Sequence, residues 1–139
     1  MLKIINKQQS VELIKRFVES QFSNETWYQD IKEYLFAIVL YGSVAKETNR
    51  VDSDIDVLFI LPLEIEQKYT SSEYSYQFEG REVNIVIRSI EKLRKIAAEK
   101  NDALQKDVFR DAEIIWNRDG EVMQLLSEIE LATVNPSKI

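Results

Sequence analysis

The chain has 139 residues, 45% hydrophobic and 30% charged, with 3 Gly and 2 Pro, which suits one folded domain and excludes a disordered segment. It contains no cysteine and no histidine, so disulfide scaffolds, thiolate zinc sites, cysteine nucleophiles, imidazole ligands and every histidine-based triad are excluded. Acidic residues number 24 against 18 basic, a net charge of −6 that argues against generic nucleic-acid binding.

The opening MLKIINKQQS has no apolar run of signal-peptide length, and the longest apolar stretch, residues 35–41, is too short to span a membrane. A cytoplasmic protein is expected. The chain reads as a single domain over 1–139: N-terminal helices in 1–34, a core of sheet and helices over 35–120, and a C-terminal helix and tail over 121–139.

Ser10 is the expected cap of a first helix through Phe22, whose Val11, Ile14, Val18 and Phe22, with Leu13 and Phe17, recur at helical spacing. Ser23 or Asn24 would cap a second helix with Trp27, Ile31 and Tyr34/Leu35 inward. LFAIVLY is continuously apolar, as a strand buried on both faces would be, and stops at Gly42-Ser43. After the loop VAKETNRVDS, DIDVLFIL forms a second strand, closed by Pro62 because proline cannot continue an interior ladder. Residues 63–72 read as a loop or short helical turn.

Glu73–Phe78 alternates, with Tyr74, Tyr76 and Phe78 on the core face, and Gly80 turns the chain into REVNIVIR. There Val83, Ile85 and Ile87 face one way and Glu82, Asn84, Val86 and Arg88 the other. Ser89 caps a helix to about Lys100. A short helix around 102–110 carries Leu104 and Val108, and residues 112–116 form the last strand, with Trp116, like Trp27, in the core. Val122, Leu125, Leu126 and Ile129 define a final helix, and ATVNPSKI reads as a frayed tail.

The chemistry concentrates between residues 40 and 60. Asp54 and Asp56 stand at i and i+2 of a strand, so both carboxylates leave the same face while Ile55 and Val57 enter the core. Two acids about 6–7 Å apart repel each other, and a divalent cation relieves that by bridging them or by sitting as one of two flanked ions. Without histidine the ligands are hard oxygens, which suit Mg²⁺ or Mn²⁺ and phosphate chemistry. Gly42 lets a ligand approach the backbone; Ser43 opens a short helix VAKET whose first amides and hydroxyl suit phosphate oxygens, and Lys46 adds positive charge one turn on.

Gly42, Ser43, the ten-residue gap and Asp54-Ile-Asp56, set between LFAIVLY and VLFIL, resemble the signature of the nucleotidyltransferase superfamily related to DNA polymerase beta. The short chain resembles its minimal nucleotidyltransferase (MNT) branch. The resemblance implies an α/β (α+β) nucleotidyltransferase fold, a mixed twisted sheet with helices mainly on one side. It implies transfer of a nucleoside monophosphate, AMP from ATP first among the NTPs, to a hydroxyl of a protein or small molecule, with pyrophosphate leaving. Gly42 and Ser43, with Lys46, would hold the triphosphate, and Asp54 and Asp56 would bind Mg²⁺ or Mn²⁺. The superfamily's third carboxylate falls at Asn84, a poor base; Glu82, two residues earlier on the same face, is the alternative. MNT proteins pair with HEPN-domain partners in toxin–antitoxin modules, so an antitoxin-like binding module with weak or no catalysis is the competing reading. An antibiotic-type adenylyltransferase would need an acceptor pocket from elsewhere, such as a second copy in a homo-oligomer.

Overall fold

The computed structural model describes residues 3–68, 73–99 and 103–134. Residues 69–72, the side chain of Leu104 and the tail from 135 onward, all subjects of expectations above, lie outside the described residues.

The first helix, α1 (Lys7–Ser20), begins earlier than Ser10 because Asn6 and Gln9 form a reciprocal capping box: the Asn6 side chain accepts from the Gln9 amide, and Gln9 accepts from the Asn6 amide. Ser10 is instead fully buried in the first turn. The helix buries Val11, Leu13, Ile14 and Phe17; Phe22 follows, fully buried, in a 3-10 turn. Helix α2 (Thr26–Ile31) is capped at Glu25, without a side-chain bond from Ser23 or Asn24. Ile31 and Leu35 are buried, whereas Tyr34 is exposed.

Five strands follow in the spatial order β3-β4-β2-β1-β5. β1 (Ala37–Tyr41) lies antiparallel to both β2 (Ile55–Leu61) and β5 (Glu113–Asn117); β2 runs parallel to β4 (Arg81–Ser89), and β3 (Glu73–Phe78) is antiparallel to β4. Between them lie α3 (Gly42–Ala45), α4 (Leu63–Glu66), α5 (Ile90–Ala98) and α6 (Ala103–Val108), with α7 (Glu121–Val134) at the end. Ser89 caps α5 by accepting from the Lys92 amide. Helix α7 continues through Val134, so the first residues of the expected tail are helical.

The implied one-sided arrangement of helices gives way to a two-sided one. Ile38, Leu40, Val57, Phe59, Val83, Ile85 and Ile87 pack with α1 and the aromatic residues after it. Ala37, Val39, Leu58, Ile60 and Val86 pack with α5, α7 and Phe109 on the opposite face. Strands as apolar as β1 and β2 require this, since either face left bare would expose a continuous hydrophobic strip. At α6, Phe109 is the buried anchor and Val108 is exposed. Trp116 is also exposed, because β5 is an edge strand with an irregular register against Ile38/Val39.

The aromatic row of β3 faces core. Phe17 packs 5.5 Å from Tyr76 and 5.3 Å from Phe78. Trp27 stacks 4.4 Å from Tyr74 and donates its indole N–H to the Tyr76 hydroxyl at 2.9 Å. Among the described residues no helix is long and apolar enough to cross a membrane.

Candidate active site

The antiparallel pairing of β1 and β2 sets Tyr41 opposite Asp56, so the end of one strand meets the start of the other. Gly42 turns the chain there at φ +79°, a left-handed conformation that side chains disfavour. A Cβ on Gly42 would lie 2.5 Å from Asp56 Oδ2 and 3.3 Å from its Cβ and Cγ. The Asp56 carboxylate therefore rests directly on the glycine backbone. Helix α3 opens at Gly42, one residue before the expected start, and Glu47 at φ +60° ends its turn. The Ser43 carbonyl accepts from the Thr48 amide at 2.9 Å, which folds the loop back over the corner.

Asp54 immediately precedes β2. Asn84 sits beside Asp56 in the parallel β2–β4 ladder, and its Nδ2 donates to Asp54 Oδ2 at 2.9 Å. The Ser75 hydroxyl in turn donates to Asn84 Oδ1 at 2.5 Å. A hydrogen bond with Asp54, then the Asp54 charge, holds the Glu82 carboxyl above its usual range; Asn84 partly offsets this. Acidic side chains crowded in this way suit a cation. Among the described residues no three acidic side chains converge closely enough to enclose a metal by themselves. With two or fewer carboxylates close together, a divalent ion held here would need phosphate oxygens or water to complete its shell.

The structure thus brings Gly42, Asp54, Asp56, Glu82 and Asn84 to one end of the sheet, with Ser43 beside them on α3. Lys46 points elsewhere: its Nζ is 3.3 Å from Asp107 Oδ2 on α6, and it is mostly buried there. Two contributors escape a linear reading. Asp107 lies within NDALQKD, which reads as a solvated helix face. Ser75 reads as an outward residue of β3, yet the two-residue turn at Glu79 and Gly80, both at positive φ, fixes the hairpin register that sets Ser75 opposite Asn84. Counting back from that turn would have found it.

A family model described as "Nucleotidyltransferase domain" matches residues 27–111. The chain belongs to the nucleotidyltransferase domain family. All the site residues named above lie within the matched span. Among solved structures, a nucleotidyltransferase-like protein from Exiguobacterium sibiricum 255-15 superposes over 86% of this nucleotidyltransferase with a TM-score of 0.55 and 10% identity. The chain spans 38% of that protein's length, and the likeness is one of fold. A toxin–antitoxin solved with AMP-PNP aligns over 81% of this chain and 85% of that one, at 19% identity and a TM-score of 0.41, too loose to carry an argument. No curated protein matches this nucleotidyltransferase.

Proposed function

We propose that this nucleotidyltransferase is a cytoplasmic enzyme that binds a Mg²⁺–NTP complex and transfers its nucleoside monophosphate, AMP from ATP in the first instance, to a hydroxyl of a protein or small molecule. The observation that carries this reading is the corner at which the Asp56 carboxylate lies against the bare backbone of Gly42, with Asp54 bonded to Asn84, the ladder partner of Asp56. Gly42 and Ser43 hold the triphosphate, while Asp54 and Asp56 hold Mg²⁺ or Mn²⁺. A divalent ion held there would supply positive charge against that developing on the phosphates as the bond to pyrophosphate breaks. The acceptor oxygen bonds to the α-phosphorus, pyrophosphate leaves, and the hydroxyl proton passes to a carboxylate. Glu82, hydrogen-bonded to Asp54, would take that proton. Asn84 would not, since its oxygen accepts from Ser75 and its nitrogen donates to Asp54. Lys46 adds charge to the phosphates only by leaving Asp107.

Asn84 also supports a second reading, in which nucleotide binding persists with turnover about 10²–10⁴-fold below that of a site with a well-placed base. The protein then works as an antitoxin-like module paired with a HEPN-domain partner, in a complex that survives Asp54→Asn. Thermal unfolding with each NTP, with and without Mg²⁺, tests the shared site. Ligand at a hundredfold its Kd stabilises by about 2.7 kcal/mol, a rise on the order of 10 °C, and Asp56→Asn abolishes it. Label transfer from α-labelled ATP that disappears in Asp54→Asn selects the enzyme. An Asp56→Asn variant that responds like the parent protein refutes the site.

A further inference from the structure

We propose that Ser75 and Asn84 form a clamp that positions the Asp54 carboxylate for the metal–triphosphate; this rests on the nucleotide-site reading above. The clamp crosses three strands, from Ser75 on β3 through Asn84 on β4 to Asp54 at the head of β2. Its polarity is set from the carboxylate outward. Asp54 Oδ2 accepts from the Asn84 NH₂; Asn84 Oδ1 then faces Ser75, whose hydroxyl donates. The separations of 2.9 and 2.5 Å match that direction.

The clamp has a physical task. Asp54 lies just outside the β2–β4 ladder, whose first pair is Ile55 with Val83, so backbone pairing does not fix its side chain. The hydrogen bond from Asn84 Nδ2 is what holds it. The amide occupies one of the carboxylate's acceptor positions, adds no negative charge and leaves others for a cation. Asn84 thereby exchanges the proton-accepting capacity of a carboxylate for control over the orientation of Asp54. Ser75 touches neither metal nor nucleotide in this scheme and acts only through Asn84.

Ser75 is exposed on an edge strand, so its truncation should leave the fold intact. The test is calorimetric titration of Mn²⁺ into the full chain saturated with α,β-methylene-ATP, alongside the melting temperature of the metal-free protein. Loss of a residue that orients a metal ligand costs about 10–100-fold in metal affinity. Ser75→Ala is expected to show that loss at an unchanged melting temperature, and Ser75→Thr, which keeps the hydroxyl, to restore binding. Asn84→Ala shows at least the same loss, and adding Ser75→Ala to it weakens binding no further. Parent-like affinity in Ser75→Ala, no restoration by Ser75→Thr, or an additive loss in the double variant overturns the clamp. Absence of Mn²⁺-dependent binding in the parent protein overturns the nucleotide site itself.

Discussion

Gly42→Ala probes the corner in two ways. The backbone at φ +79° is one that an L-residue enters at a cost of about 1–2 kcal/mol. The new methyl would also meet Asp56 Oδ2 at 2.5 Å and Asp56 Cβ at 3.3 Å. The oxygen can swing away, at about 0.5–1.5 kcal/mol for a displaced rotamer; the Cβ is fixed by the pairing of Asp56 with Tyr41. Alanine also stiffens the unfolded chain, which returns about 0.4–1 kcal/mol. The net loss is about 1–3 kcal/mol, read as a fall of roughly 3–10 °C in the melting temperature. A double-mutant cycle separates the two parts. In an Asp56→Ala background the oxygen is gone, so Gly42→Ala costs about 0.5–1.5 kcal/mol less, measured by urea unfolding. An equal cost in both backgrounds would show that Asp56 does not lie on Gly42, and no cost in either would show that the left-handed corner is absent.

Two further predictions concern the scaffold. Phe59 is fully buried, with Phe22 at 5.4 Å and Tyr28 at 6.2 Å, so Phe59→Ala should lose about 3–5 kcal/mol in urea unfolding; a loss under about 1 kcal/mol would contradict the packing. Arg94 grips Glu121 through two hydrogen bonds of 2.6 and 2.9 Å, and this lowers the Glu121 pKa from its ordinary 4.5. A carboxylate with a depressed folded-state pKa stabilises above its unfolded value and loses that contribution as pH falls through the folded one. Glu121→Gln should therefore cost about 0.5 kcal/mol at pH 7 for an exposed pair, and the gap from the parent protein should close on acidification below about pH 4.5. A gap that is constant with pH would assign the effect to something other than the charge.

The legible parts of the sequence were those governed by local pattern. The unbroken apolar runs of β1 and β2, the alternation in β3, the glycine turn and the Ser89 cap each follow from a few neighbouring residues. The fold departs from local pattern where two local signals compete or where position in the sheet decides burial. Ser10 is a plausible cap, but Asn6 with Gln9 satisfies two amides at once and wins, which leaves Ser10 inside. Trp116 looks like core until the topology puts β5 at an edge. Within the site, Asp54, Asp56 and Gly42 announce themselves by spacing, and Asn84 only through the resemblance, as the position of the superfamily's third carboxylate. The bonds that engage Asn84, and the diversion of Lys46 to Asp107, depend on contacts between elements distant in sequence.

The parallel ladder between β2 and β4 is the seam along which the end bearing the candidate site is joined. On one side, residues 37–61 bring Gly42 to Asp56 within a single short stretch of chain, a unit whose loop closes at little entropic cost. On the other, the hairpin of β3 and β4 delivers Ser75, Glu82 and Asn84 together, its own register fixed by its turn. Each half can be correct by itself while the pair is misaligned. A slip of one residue along the seam would send Asn84 to the opposite face of the sheet and strand Asp54 without its donor, yet leave both halves well formed. Fidelity at this end therefore rests on the apolar residues that lock the seam, Ile55, Val57, Val83 and Ile85, as much as on any polar group.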